Sequence, residues 1–180
     1  MYFNNLRKQY SINKVLINKY ILKVLSHGQY ILGPEVLKLE NTLKKYVNTK
    51  YSLAVSSGTD ALLMSLMALE VGKNDEVITS SFAFISTIEV ITLLGAKPVL
   101  IDADVGTALI DTNLIEKNIT DKTKAIIPVS LFGQIPNFSL INKIAKMNGN
   151  IAVIEDGAQS FGSTFKRKIW NLSKQTYWNY

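Results

Sequence analysis

From Tyr51 onward the chain repeats one pattern: a short apolar run, a polar break, then a segment with apolar side chains at helical spacing. Strands are expected at Tyr51–Val55, Glu76–Thr79, Pro98–Ile101, Lys124–Val129 and Ile151–Glu155. Helices are expected between them at Thr59–Leu69, Phe84–Leu94, Thr112–Ile119 and Asn137–Met147, with Gly72 and Gly95 closing the first two. Strands that alternate with helices at this pitch predict an α/β fold with three layers (α/β/α) and a mainly parallel sheet. Ahead of this pattern, Val15, Leu16, Tyr20, Leu22 and Leu25 predict an amphipathic helix over Asn13–Ser26. A glycine-bounded break follows at Gly28–Gly33, and Pro34 opens a second helix running to about Val47.

The length of 180 residues fits one domain with a real core, and the 47% hydrophobic content argues against wholesale disorder. There are no cysteines, which excludes disulfides, cysteine-ligated metals and a thiol nucleophile. The net charge of +6 comes from lysines scattered among asparagines and isoleucines, with no basic stripe or stacking-aromatic motif, so nucleic acid is not an expected partner. Met1–Tyr10 lacks the apolar run of a signal peptide. Phe82–Ala96 is interrupted by Glu89 and falls short of the roughly 20 residues of a membrane helix, so a soluble cytoplasmic protein is expected.

In open α/β sheets, ligands bind beyond the carboxyl ends of the strands. Two segments sit at such positions. In Ser56-Ser57-Gly58-Thr59-Asp60, Gly58 and Thr59 stand where a strand gives way to a helix, whose free N–H groups suit a phosphate. Taken alone, a plain N-cap explains them as well and more often. In Ile154-Glu155-Asp156-Gly157-Ala158-Gln159, Asp156 ends a buried run. It either binds a metal, a ribose or a cationic ring nitrogen, or caps the next turn. Gln159 stands three residues on, within reach of the same ligand. Phe82 and Phe84 follow the strand ending at Thr79, as stacking platforms or, more often, core. His27 is the single histidine, so a histidine triad or multi-histidine metal site is excluded, and it reads as a loop residue. Asp102 and Asp104 read as a turn after an edge strand rather than a metal pair, and no metal site is expected.

Taken in order, the segments Gly28-Gln29-Tyr30-Ile31-Leu32-Gly33-Pro34-Glu35-Val36, Ser57-Gly58-Thr59-Asp60-Ala61-Leu62 and Asp75-Glu76-Val77-Ile78-Thr79 resemble the DegT/DnrJ/EryC1/StrS family. The likeness continues through Leu94-Gly95-Ala96-Lys97-Pro98-Val99, Thr123-Lys124-Ala125-Ile126-Ile127-Pro128-Val129 and Ile154-Glu155-Asp156-Gly157-Ala158-Gln159-Ser160. It extends from about Tyr10 to about Lys168. The family comprises pyridoxal 5'-phosphate-dependent aminotransferases acting mainly on nucleotide-linked keto sugars. The resemblance implies the large domain of the aspartate-aminotransferase (type I) fold. It implies that Gly58, Thr59 and Asp60 hold the cofactor phosphate, that Phe84 stacks on the ring, and that Asp156 binds the ring nitrogen and keeps it protonated. Gln159 is implied near the phenolic oxygen. Gln29, Tyr30 and Ile31 are implied to line the sugar site, with help from a second subunit of a homodimer. The implied partners are a nucleotide-sugar acceptor and an amino-acid donor, glutamate being the family's usual one.

The resemblance also implies a Schiff-base lysine some tens of residues beyond the aspartate, in a Ser-x-x-x-Lys-like stretch. Lys166, Lys168 and Lys174 do not fit that pattern. Ser163–Lys168 reads as an exposed hairpin, and Ile169–Tyr180 does not continue the strand–helix rhythm. The domain expectation is therefore residues 1–165 as the N-terminal part of the cofactor-binding domain and 166–180 as a tail outside the family, left by a truncation or a frameshift near Phe165–Lys168. In the implied fold two later strands separate the first strand from the fifth. Their loss is expected to leave unpaired edges and a gap, strands being about 4.8 Å apart, with Thr59 and Asp156 on opposite sides. A catalytically inactive aminotransferase chain is thus expected. The alternatives are a dehydratase of the same family using the amine form of the cofactor, and a non-catalytic fragment that only binds a partner subunit.

Overall fold

A computed structural model describes residues 4–165, together with the backbone of 168–169 and 176–179. The chain divides into two compact units, one running to Ala54 and the other beginning at Val55.

The first unit is a helix pair. Helix α1, Leu6–His27, starts where the Asn5 side chain accepts a hydrogen bond from the Lys8 N–H. It stops at Gly28, whose φ of 70° favours a residue without a Cβ. Helix α2, Pro34–Tyr46, opens with proline at its first position. A Cβ on the preceding Gly33 would collide with the Gln29 carbonyl, so the entry into α2 requires glycine. Glu35 ties the helices together, 2.8 Å from Lys23 Nζ and 3.0 Å from His27 Nε2. His27 is thus the last residue of α1 and a partner of Glu35, rather than a loop residue. Neither helix buries a residue, and the apolar side chains of α1 are all exposed or half-exposed.

The second unit contains a five-stranded sheet. Helix α3, Gly58–Ala68, precedes β1, Glu76–Ser80; α4, Ser86–Leu93, leads to β2, Lys97–Ile101. A short helix α5, Thr112–Ile115, continues as a single 3-10 turn and leads to β3, Thr123–Ile127. Helix α6, Phe138–Met147, leads to β4, Ala152–Asp156. Strands β5, Thr164–Phe165, and β6, Lys168–Ile169, form the expected antiparallel hairpin, and β7 is Thr176–Asn179. The sheet order is β2-β1-β3-β4-β7, with every pair parallel.

A parallel sheet must be covered on both faces, and the alternation of side chains along each strand supplies both. Ile78, Ile126 and Val153 pack with Ile115 on α5 and with Phe138 and Ile141 on α6. Their neighbours Val77, Ala125, Ile127 and Ile154 pack on the other face with Leu62 and Leu66 of α3 and with Val90 and Ile91 of α4. This is the three-layer arrangement read from the sequence. Among the described residues no helix is long and apolar enough to cross a membrane.

Four sequence expectations are corrected. Tyr51–Val55 forms no strand, because a strand requires a neighbour to share its ladder and this segment has none among the described residues; Tyr51 and Leu53 are exposed. Helix α3 is closed not by Gly72 but by Leu69 and Glu70, the latter with φ at 55°. The edge of β4 is not bare: Thr176–Asn179, from the segment expected to break the pattern, pairs with Val153–Asp156 in parallel register. Nor does a gap part Thr59 from Asp156, since Leu62 and Leu66 of α3 share one core cluster with Ile154 of β4.

Leu66 is fully buried between the sheet and α4. Its replacement by alanine is expected to cost about 2–5 kcal/mol, lowering the urea midpoint without changing the slope. Val15→Ala, on the exposed surface of α1, is expected to change stability by less than about 0.5 kcal/mol. Equal effects at the two positions would contradict the core described here.

Candidate cofactor site

Helix α3 ends next to the start of β1, so its first turn points to the opposite end of the sheet, where the strands finish. Asp156 lies at that same end. Its side chain is on the α3–α4 face, two residues beyond Ile154. The topology therefore gathers the first turn of α3, the first turn of α4 and the Asp156 carboxylate at one edge of one sheet face.

At the start of α3, the Ser57 Oγ accepts from the Asp60 N–H at 3.1 Å and donates to Asp60 Oδ2 at 2.8 Å. Ser56 Oγ donates to the same oxygen at 2.5 Å. These two hydroxyls hold the Asp60 carboxyl below its ordinary pKa. Ser57 and Asp60 therefore bond reciprocally across the first turn of α3, and the Asp60 N–H is already used. The N–H groups of Gly58 and Thr59 take no partner among the described residues, and Thr59 is exposed. That pair of donors at a helix N-terminus suits a phosphate.

Asp156 is buried, with 6% of its surface accessible. Thr87 Oγ1, in the first turn of α4, donates to its Oδ2 at 3.2 Å, and the Ala158 N–H donates to Oδ1 at 3.2 Å. Its backbone extends the β3–β4 pairing: Asp156 N–H donates to Pro128 O, and Ser130 N–H donates to Asp156 O. Thr87 carries no sequence signal beyond its place in an apolar helix, and only the packing of α4 on the sheet shows its role.

Phe82 and Phe84 are not core. Phe84 is 69% exposed, and Phe82 stands with its ring centroid 6.4 Å from that of Phe132. Phe132 holds φ at 56°, a costly region for a bulky residue. Its N–H donates to Gln159 Oε1 at 2.8 Å. Gln159 thus braces the Phe132 turn with its oxygen, and its side-chain N–H group takes no partner among the described residues. Gln29, Tyr30 and Ile31 lie in the first unit between α1 and α2, exposed to solvent. Lys166 and Lys174 lie outside the described residues, as does the side chain of Lys168. Asp102 and Asp104 do form a turn after the edge strand β2; Asp104 Oδ1 accepts from Gly106 N–H, Thr107 N–H and Thr107 Oγ1.

A shallow cavity of about 400 Å³, lined by Lys73, Glu76, Lys97 and Lys122, lies at the amino ends of β1 and β2, the wrong end of the sheet for this chemistry. Its carboxylate is already engaged: Lys97 and Thr120 hydrogen-bond to Glu76 and hold its carboxyl below the ordinary range.

Sequence reasoning missed Glu155. It is fully buried on the α5–α6 face, opposite Asp156. Ser130 Oγ donates to its Oε1 at 2.6 Å, while Oε2 has no hydrogen-bond partner among the described residues. Burial raises its pKa from 4.5 to about 7; the Asp156 charge adds to the rise, and the Ser130 and Ser160 hydroxyls oppose it. A signal was present: a second acid in a run of buried strand residues has nowhere to go but inward. The folded chain holds this proton up to about pH 7, whereas the unfolded chain releases it near 4.5. Stability is therefore expected to fall as pH rises between those values, by about 3 kcal/mol in all. Glu155→Gln should remove that slope, matching the parent at pH 5 and exceeding it at pH 7.5 in urea denaturation. A slope unchanged by the substitution would refute the assignment.

Comparisons with known proteins bear on the family and the fold. Residues 12–175 match the model of the DegT/DnrJ/EryC1/StrS aminotransferase family, beyond Lys168 where the sequence resemblance was expected to end. The chain is 52% identical over 172 residues to the UDP-2-acetamido-2-deoxy-3-oxo-D-glucuronate aminotransferase of Pseudomonas aeruginosa, covering 95% of this chain and 48% of that protein. It thus spans about half the length of that curated relative. It superposes with a TM-score of 0.83 on a DegT DnrJ EryC1 StrS aminotransferase from Brucella abortus, at 38% identity, covering 90% of this chain and 45% of the other. With the PLP form of Spr1654, a putative sugar aminotransferase from Streptococcus pneumoniae, the TM-score is 0.71 at 34% identity, over 76% of this chain and 38% of that one. The parallel α/β sheet matches type I PLP aminotransferase structures over part of their length, and the chain belongs to the DegT/DnrJ/EryC1/StrS aminotransferase family.

Proposed function

We infer that this chain is the N-terminal portion of an aminotransferase that uses pyridoxal 5'-phosphate to move an amino group from an amino acid, glutamate by family analogy, to a keto group of a nucleotide-linked sugar. The observation that carries this reading is the buried Asp156 carboxylate, braced by Thr87 and Ala158 at the same end and on the same face of the sheet as the free amides of Gly58 and Thr59. One group suits a cation and the other a phosphate, and the cofactor carries both on one flat ring.

The residues fit the cofactor. Gly58 and Thr59 would receive the phosphate, with the positive end of the α3 dipole behind them. Asp60 would serve this cradle indirectly, by fixing Ser56 and Ser57. Asp156 would hold a proton on the ring nitrogen. When bound, the cofactor supplies an electron sink for the carbanion formed at the amino-bearing carbon. Thr87 and the Ala158 N–H orient the Asp156 carboxylate, so its remaining lone pairs are aimed rather than free to rotate. The exposed Phe84 ring is available for stacking, and the unpartnered amide N–H of Gln159 for the phenolic oxygen. Gln29, Tyr30 and Ile31, exposed in the first unit, would meet the sugar, with a second subunit completing that site in a homodimer. A cytoplasmic location fits this role.

The amine form, pyridoxamine 5'-phosphate, needs no covalent anchor and tests the cradle directly. Equilibrium titration of the 180-residue chain by cofactor fluorescence should show saturable binding. Asp156→Asn and Thr59→Ala should each weaken it by roughly 10–100-fold, as expected for losing a charge-assisted hydrogen bond. Met147→Ala, at an exposed apolar position at the far end of α6, serves as the control and should bind normally. Absent binding, or binding indifferent to Asp156 and Thr59, would remove the support for this reading.

A further inference from the structure

We propose that Glu155 is a positioning residue that clamps the start of the Ser130–Gly133 turn to β4 and so sets the wall beside Asp156. The turn is held at four points. Glu155 Oε1 accepts from Ser130 Oγ, and Asp156 O accepts from Ser130 N–H. Gln159 Oε1 accepts from Phe132 N–H, and Gly133 O accepts from Ser163 Oγ. Three of these bonds link groups on the surface or in the backbone. The Ser130–Glu155 bond is the buried side-chain pair, with both residues fully inaccessible.

The turn needs such a clamp. A non-glycine residue at φ of 56° persists only where its surroundings over-determine it. Phe132 is also two-thirds exposed, so no core packing holds its ring in place. What the strain achieves is a ring displayed beside Phe82 at the end of the sheet where Asp156 lies. Glu155 is suited to the role because one carboxyl oxygen is committed to Ser130 while the other has no partner. Among the described residues the one charged group acting on it is the carboxylate of Asp156, and the loops packed against it bring only the hydroxyls of Ser130 and Ser160. An ionised Glu155 would be a second buried anion next to Asp156, relieved most directly by opening the turn to water.

The importance of this wall to the cofactor rests on the function proposed above; the clamp itself does not. Hydrogen exchange of the 180-residue chain, followed residue by residue without any cofactor, reads the clamp alone. After correction for the intrinsic rates, protection of the Ser130 and Phe132 N–H groups should fall by about a hundredfold between pH 5 and pH 8. In Glu155→Gln the same protection should be flat with pH and equal to the parent value at pH 5. In Glu155→Ala it should be lower by about tenfold at every pH, the loss of one hydrogen bond. A carboxyl that merely fills space would lower protection only through global stability, equally for the Ile78 and Ile126 N–H groups of the core strands, so a fall at Ser130 and Phe132 no larger than theirs would also overturn the proposal. Protection independent of pH in the parent chain, or a pH dependence that survives in Glu155→Gln, would overturn the proposal. Should Glu155→Ala not fold, the parent series and Glu155→Gln decide it. Loss of pyridoxamine phosphate binding with the exchange pattern intact would count against the function and leave the clamp standing.

Discussion

Both faces of β1, β3 and β4 must be dry, and everything else in the second unit follows from that. Ile78, Ile126 and Val153 require α5 and α6 on one side; Val77, Ile127 and Ile154 require α3 and α4 on the other. Helices that return antiparallel to the strands then begin where the strands end. Their unsatisfied N–H groups are thereby collected at a single end of the sheet. The polar residues that terminate the strands emerge among those groups, so the free N–H groups of Gly58 and Thr59 and the Asp156 carboxylate come to the same end and face of the sheet without either having been placed there by local sequence.

β4 shows how sharply one strand can divide its roles. Successive side chains point to opposite faces, so Glu155 and Asp156, adjacent in sequence, enter different environments. Asp156 meets the first turn of α4 and is oriented by Thr87. Glu155 meets the Ser130 hydroxyl in a site that raises its pKa to about 7. Two identical functional groups one residue apart thus differ in partner, orientation and proton affinity because of the pleat of the strand. Gln159 and Phe132 extend the same logic outward, with a side-chain amide holding a strained backbone in place.

Much of the fold was legible. The alternation of apolar runs and helical spacing located α2, α3, α4, α6 and β1 through β4 to within a few residues, and Gly95, with φ at 78°, does close the turn after α4 as expected. What failed did so for lack of a neighbour. Tyr51–Val55 has strand-like composition but no ladder to join. Thr176–Asn179 has no clear period, yet it pairs because β4 presents an edge. Strand formation is a property of pairs, and a single sequence describes one member at a time.

For the site, the amino-acid sequence by itself determined which chemistry was available. Gly58 and Thr59 stand at the start of a helix, Asp156 at the end of a strand, and no cysteine or second histidine offers another mechanism. It also carried the ordered set of segments by which the family is recognised. Only the tertiary structure decided that the helix start and the strand end share one face, that Thr87 reaches Asp156 across 69 residues of chain, and that Glu155 turns inward to Ser130. Composition and spacing record what each residue is able to do. Which groups meet is set by the packing of helices on a twisted sheet, where contacts distant in sequence are fixed by the burial of apolar surface rather than by anything local.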